Sequence, residues 1–367
     1  MTIRNLRCSN LIVLLTIAAV LVASAVAADQ PHWGQKFTRN MISTETNLPA
    51  TFDPQTGANI KWTADLGSET WGTPIIASGR VLLGTNNSPP RDPRHKGDRG
   101  ILICLDEKDG SFLWQLVVPK LGPDPYLDWP RGGIVSPPTI EDDRIYVMTN
   151  RGELVCLDMH GQSNGNDGPY KDEGRHMALD GKAPMEVTAI DADIIWLFDI
   201  PNQAGTYPHD AAHASPLIDG DFIYVNTSNG VDNTHRANRK PEGPSLIVID
   251  KHTGRYLARD DEKIGDMVFH STWSSPALGV VNGQKRIFFG GGDGVLYGFQ
   301  ALEQAPPEGE VATLERLWRF DGDPNAPKEN IHEYKRNREV SPSNIKSMPV
   351  FHSDRIYLTL GGDIWWG

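Results

Sequence analysis

The residues best suited to chemistry are imidazoles, indoles and a guanidinium, gathered in a few short stretches. His209-Asp210-Ala211-Ala212-His213 sets two histidines four apart, the separation at which a helix presents two metal ligands on one face. The stretch runs straight into Ser215-Pro216, where the backbone is expected to be extended. The two rings then need not converge, so no metal-ligand set is expected; the leading reading is structural, the next a ligand-contacting loop. His235, His270 and Trp273 lie in comparable loops, as do Trp71, Trp129, Arg131 and Asn229. Brought together, such aromatics, imidazoles and an Arg would bind a planar or anionic ligand. The alternative is a rim of unrelated surface residues. No catalytic residue is expected, because the His and Asp residues show no order of nucleophile, base and orienting group.

Other candidates have simpler explanations. Ser136, Ser215 and Ser275 each precede Pro at matching places in a repeat, which marks them as structural rather than nucleophilic. The run Gly290-Gly291-Gly292-Asp293-Gly294 has no helix after it to receive a phosphate and reads as a hairpin turn. Cys104 and Cys156 hold equivalent strand positions and are expected to be buried and inert. Asp158 with Gly165-Asn166-Asp167-Gly168 offers oxygens for calcium, yet without EF-hand spacing or a closing Glu an ordinary polar loop is expected.

The elements that must position these residues recur along the chain. A small residue, Pro and an apolar residue open each unit, as in Thr73-Pro74-Ile75, Pro137-Pro138-Thr139, Ser215-Pro216-Leu217, Ser275-Pro276-Ala277 and Met348-Pro349-Val350. A β-rich run follows, such as Arg144-Ile145-Tyr146-Val147 or Phe222-Ile223-Tyr224-Val225. Third runs align as Leu102-Ile103-Cys104-Leu105-Asp106, Leu154-Val155-Cys156-Leu157-Asp158 and Leu246-Ile247-Val248-Ile249-Asp250. A tight turn leads to a fourth run carrying Trp114, Trp196 or Trp318, with Tyr256 expected in that role in the third unit. Four short strands per unit describe a β-propeller blade, whose faces are buried by radial stacking.

The phrases Leu105-Asp106…Gly110…Trp114, Ile249-Asp250-Lys251-His252-Thr253-Gly254 and Asp53-Pro54-Gln55-Thr56-Gly57…Trp62 resemble the PQQ-like β-propeller repeat. That repeat is shared by quinoprotein dehydrogenases and by the lipoprotein of the outer-membrane-protein assembly machine. Longer phrases, such as Thr227-Ser228-Asn229-Gly230-Val231-Asp232, are similar to those of secreted planctomycete members. The resemblance implies an all-β fold of four-stranded blades, and an eight-bladed ring of which about four and a half blades are expected here as an incomplete fragment. A five-bladed closed ring is the alternative. The organisation expected is a signal peptide over 1–28, an N-terminal strap over 29–52 and a propeller over 53–367, with blades starting near 71, 134, 213, 272 and 347.

If strands are numbered outward from the channel, second-to-third and blade-to-blade connections emerge on one face. The long ones are 86–100, 119–133, 201–214, 231–244, 260–272 and 321–347, which places the working surface there. The insertion 159–193 falls on the opposite face.

Arg4 and Arg7, the apolar run 11–22 and the small residues 23–28 have the form of a secretory signal peptide. Its removal would take the net charge from −12 to −14, and export to the periplasm or beyond is expected. No later stretch is apolar enough to span a membrane. With 35 Lys plus Arg against 47 Asp plus Glu, nucleic acid is excluded as a partner. The 36 Gly and 27 Pro exceed the usual shares of about 7% and 5%, as a hairpin-rich chain requires. The expected function is non-catalytic binding or assembly, with an unknown protein or small molecule on the loop-rich face and no cofactor demanded. The alternative is a PQQ- and Ca²⁺-dependent quinoprotein dehydrogenase oxidising alcohols or sugars. That reading is weakened because the adjacent Cys-Cys pair common in alcohol-oxidising quinoproteins is missing.

Overall fold

The computed structural model describes residues 28–122, 128–210, 214–331 and 342–361. The segment expected to be a signal peptide, up to residue 27, lies outside them. Strands β1 (Ile75–Ala77), β2 (Arg80–Asn86), β3 (Arg99–Asp106) and β4 (Phe112–Pro119) pair antiparallel in chain order. So do β5 (Thr139–Glu141), β6 (Arg144–Met148), β7 (Glu153–Asp158) and β8 (Ile194–Asp199). A third sheet holds β9 (Leu217–Asp219), β10 (Phe222–Asn226), β11 (Leu246–Asp250) and β12 (Tyr256–Arg259). A fourth begins with β13 (Ala277–Val281), β14 (Gln284–Gly290) and β15 (Val295–Gln300). The chain then lends β16 (Ala312–Thr313) to the third sheet, parallel to β12, before β17 (Arg316–Asp321) completes the fourth. A hairpin of β18 (Val350–His352) and β19 (Arg355–Tyr357) follows. These are propeller blades. The ring is not closed: among the described residues the last hairpin pairs with no strand of the first sheet.

The blades share one irregularity that explains the repeat. Third and fourth strands shift register after Cys104, Cys156, Val248 and Gly298, the small-residue position of each blade. Such a bulge turns the opposing side chain out of the sheet plane. That side chain is Trp114, Trp196 and Trp318 in three blades. In the third it is Ala258, opposite Val248, and Tyr256 pairs instead with Ile249, correcting the expectation that Tyr256 stands in the Trp position.

Three indoles reach the turn of the next blade. The Trp62, Trp114 and Trp196 Nε1–H groups donate to the carbonyls of Glu107, Met159 and Lys251 at 2.9, 3.0 and 3.0 Å. The rings lie on Gly110, Gly161 and Gly254, all at positive φ, where an added Cβ would come within 2.5–2.8 Å of the indole. Only glycine meets both conditions. The turns themselves are set by Asp: Asp106, Asp250 and Asp53 each accept backbone N–H bonds from the residue two ahead. Residues 59–62 carry no strand, so the first of these tryptophans docks from irregular chain.

Apolar clusters lie between successive sheets. Leu102 and Val118 pack with Ile145 and Val155; Cys156 and Trp196 with Ile223 and Ile247; Tyr224 and Val248 with Ile287 and Phe289. Burial on both faces accounts for the unbroken apolar runs of the third strands.

The innermost strand edges are not bare. The strap preceding the blades runs across them, accepting N–H bonds from Ile76 (to Gln30), Ile140 (to Pro31), Leu278 (to Phe37) and Phe351 (to Thr38). Arg39 is buried at the axis and donates to the carbonyls of Trp33, Ser215, Pro216 and Pro276. Burial pulls its pKa down to about 9, so the guanidinium stays charged at neutral pH. The strap thereby ties five sheets together through backbone groups that the repeat leaves unpaired.

Candidate functional site

Each sheet sends a side chain to one pocket from the loop before its innermost strand. Trp71 comes from the first, Trp129, Gly132 and Val135 from the second, Asp210 from the third, Trp273 from the fourth and Lys346 from the hairpin. Trp33 of the strap completes a cavity of about 500 Å³. Its size and apolar walls suit a small-molecule site. The Lys346 ammonium lies 5.3 Å from the Trp273 ring centroid, adding a cation over one wall. Trp71 is two-thirds exposed at the mouth, where Glu69 accepts its Nε1–H at 3.4 Å.

Beneath Trp273 three imidazoles meet. His209, His235 and His270 are buried, their ring centroids 4.4–4.9 Å apart and their candidate ligand nitrogens all within 4.8 Å of one another. His209 Nδ1–H donates to the Val231 carbonyl at 2.7 Å, which leaves Nε2 as the lone-pair nitrogen, and His270 Nε2 stands 2.6 Å from it. Burial first, then the neighbouring His270 and His235, pushes the His209 pKa down to about 2, so this ring is neutral across the physiological range. Asp210 bridges cluster and pocket, its two carboxylate oxygens each 3.5 Å from His209 Nε2 or His270 Nε2. The Trp273 ring stands edge-on to His270 at 5.0 Å.

Backbone pairing brings these rings together. Gly230 N donates to Tyr207 O and Val231 N to His270 O, so the loops carrying His209, Gly230 and His270 run side by side. Gly230 is the close-contact point, since a Cβ there would lie 2.5 Å from the His270 carbonyl oxygen. Asn229 is buried and binds backbone, accepting from Tyr207 N and donating to Lys240 O and Gly243 O. These bonds hold the loops together.

Of the residues singled out in the sequence, Trp71, Trp129 and Trp273 line the pocket and His209, His235 and His270 form the cluster below it. Arg131 stands outside the lining, its Nε 3.2 Å from Glu69, and reaches the rim only through that carboxylate. His213 lies outside the described residues. Among the described residues, His209 meets histidines from two other loops, His235 and His270. Trp33, Asp210 and Lys346 were not on the list of expected binding residues.

Elsewhere, Asp92, His95 and Asp191 also cluster, but Arg94 is ion-paired with both carboxylates. In the 159–193 insertion the Lys171 ammonium sits on Asn166 O, Asn166 Oδ1 and Asp167 O, the oxygens a calcium ion would need. The Ser-Pro serines join blades: Ser136 donates to Ala214 O, and Ser275 Oγ accepts from Ser215 N.

Residues 98–164 match the family described as outer membrane protein assembly factor BamB. No curated protein matches the chain. Among solved structures, the quinohemoprotein alcohol dehydrogenase of Comamonas testosteroni is similar with a TM-score of 0.50 at 10% identity, over 90% of this chain and 45% of that one. BamB of Moraxella catarrhalis gives a TM-score of 0.38 at 13% identity, over 84% and 74% of the two chains. The quinohemoprotein alcohol dehydrogenase ADHIIG of Pseudomonas putida HK5 gives 0.44 at 13%, over 82% and 40%. This chain thus spans less than half the length of the Comamonas enzyme. Likeness at such identity concerns fold alone: the chain folds as propeller blades, and the family match covers residues 98–164 of it.

Proposed function

We propose that this chain is part of an exported β-propeller that binds a planar, anion-bearing ligand in the indole-walled pocket and performs no chemistry on it. The observation that carries this reading is the convergence of lead-in loops from five consecutive sheets on that pocket. Indole faces stack on flat rings, and Lys346 supplies a cation at the same place. Among the described residues that line it, Asp210 and Lys346 are the ionisable ones, and the other side chains are apolar or aromatic. Export rests on the charged, apolar and small-residue pattern of 1–28; no helix among the described residues is long and apolar enough to cross a membrane.

A quinoprotein reading draws support from the same walls, which would accept a planar quinone. The neighbouring donors do not fit its calcium ion. Ca²⁺ takes six to eight oxygens, whereas the groups under this pocket are three imidazoles and one carboxylate. No redox step is therefore assigned to the chain. Dye-linked oxidation of alcohols and sugars in the presence of PQQ and Ca²⁺ is expected to stay at background. A cofactor-dependent rate lost on changing Asp210→Asn would overturn the binding role in favour of catalysis.

A further inference from the structure

We propose that His209, His235 and His270 bind a divalent first-row transition-metal ion, with the Asp210 carboxylate beside the remaining coordination position. Three loops separated by 26 and 35 residues bring imidazole nitrogens within 4.8 Å of one another in a buried place. A tetrahedral ion with metal–nitrogen bonds of about 2.0–2.1 Å sets its ligand nitrogens about 3.4 Å apart. Ring rotations of about an ångström reach that spacing from both the 2.6 Å contact and the longer ones. In the metal-free protein a proton shared by His209 and His270 accounts for the 2.6 Å contact; the ion takes that proton's place.

The surroundings have the form that imidazole ligands require. His209 Nδ1–H is fixed on the Val231 carbonyl, an outer hydrogen bond that selects the tautomer and orients Nε2 inward. Backbone pairing between Gly230 and Ser271, and from Val231 to His270, fixes the loops that carry the rings. An all-nitrogen set selects zinc, copper, nickel or cobalt over calcium or magnesium. The Asp92, His95 and Asp191 cluster is the natural comparison, because Arg94 already occupies its carboxylates.

This inference goes beyond ligand binding in the pocket and is tested without any pocket ligand. The full chain is stripped with a chelator, then titrated with Zn²⁺ and with Co²⁺ as an absorbing substitute, metal content and visible spectrum being read together. One equivalent per chain is expected, with the cobalt bands of a four-coordinate site built on three nitrogens. His235→Ala and His270→Ala should each weaken Zn²⁺ binding at least tenfold, and His95→Ala should leave it unchanged. Wild-type protein that takes up no equivalent of Zn²⁺ or Co²⁺ overturns the proposal, and that arm needs no variant to fold. Retention of the cobalt spectrum in the folded double variant His235→Ala/His270→Ala overturns it equally.

Discussion

Gly230→Ala tests whether loop packing builds the histidine cluster. Gly230 lies outside the positive-φ region, so alanine brings no backbone penalty and the whole effect is steric. Its Cβ would lie 2.5 Å from the His270 carbonyl oxygen and 2.8 Å from Ser271 Cβ. Relief to ordinary contact needs a shift of about 1 Å, since overpacking of this size costs about 1–3 kcal/mol. The shift also strains the Val231 N to His270 O bond of 2.8 Å, worth about 1 kcal/mol. A net loss of about 2–4 kcal/mol follows, or roughly 3–6 °C in Tm if the described blades melt together. Gly220→Ala is the control, because Gly220 has φ +60° with nothing within 4 Å of its Cβ and loses only about 1 kcal/mol to strain. Thermal and urea melts followed by circular dichroism read the difference. Equal destabilisation by the two changes would refute the claim that these loops are in tight register.

Two further outcomes follow from burial. His209 has its folded pKa depressed from 6.5 to about 2, so its contribution to stability is complete above pH 6.5 and is lost progressively as pH falls toward 2. Metal-free wild type should lose about 1.4 kcal/mol more than His209→Gln between pH 7.5 and 5.5, read from urea midpoints; parallel profiles would contradict the neutral-ring assignment. Cys104 and Cys156 are buried with thiol pKa values pushed up to about 12 by burial, so these two thiols should react with a thiol reagent only on unfolding, and their fast labelling at pH 8, located by peptide mapping, would contradict their packing.

The fold was legible because propeller blades repeat the same physical solution. Asp-set turns, a small residue opposite Trp and a Pro before the inner strand recur in the same order, with insertions between them. Tyr256 was misplaced although the spacing held the answer: four residues separate Gly110 from Trp114, and four from Gly254 reach Ala258. The bulge, invisible in composition, decides which of the two is turned outward.

The site was legible in its face and less so in its members. Lead-in loops were expected on one face, and they do deliver Trp71 and Trp273 to one pocket. The described cluster is formed across loops by backbone bridges at Pro208–Asn229 and Gly230–Ser271, which spacing along the chain does not reveal. Trp33 and Lys346 lie outside the repeat phrases, one on the strap and one before the last hairpin, so no internal comparison marks them. Arg131 has the charge for a ligand contact, but Glu69 holds it at the rim.

The most direct test of the account is a tryptophan-fluorescence titration of the purified full chain with planar anionic probes, PQQ among them, in the absence of added metal. Saturable quenching is predicted for at least one probe. Trp71→Ala and Trp273→Ala should each weaken it about five- to tenfold, the loss of one stacking wall worth about 1 kcal/mol. Failure of every probe to saturate, or binding that is unaltered in both variants, would contradict the assignment of the indole-walled pocket as the binding site.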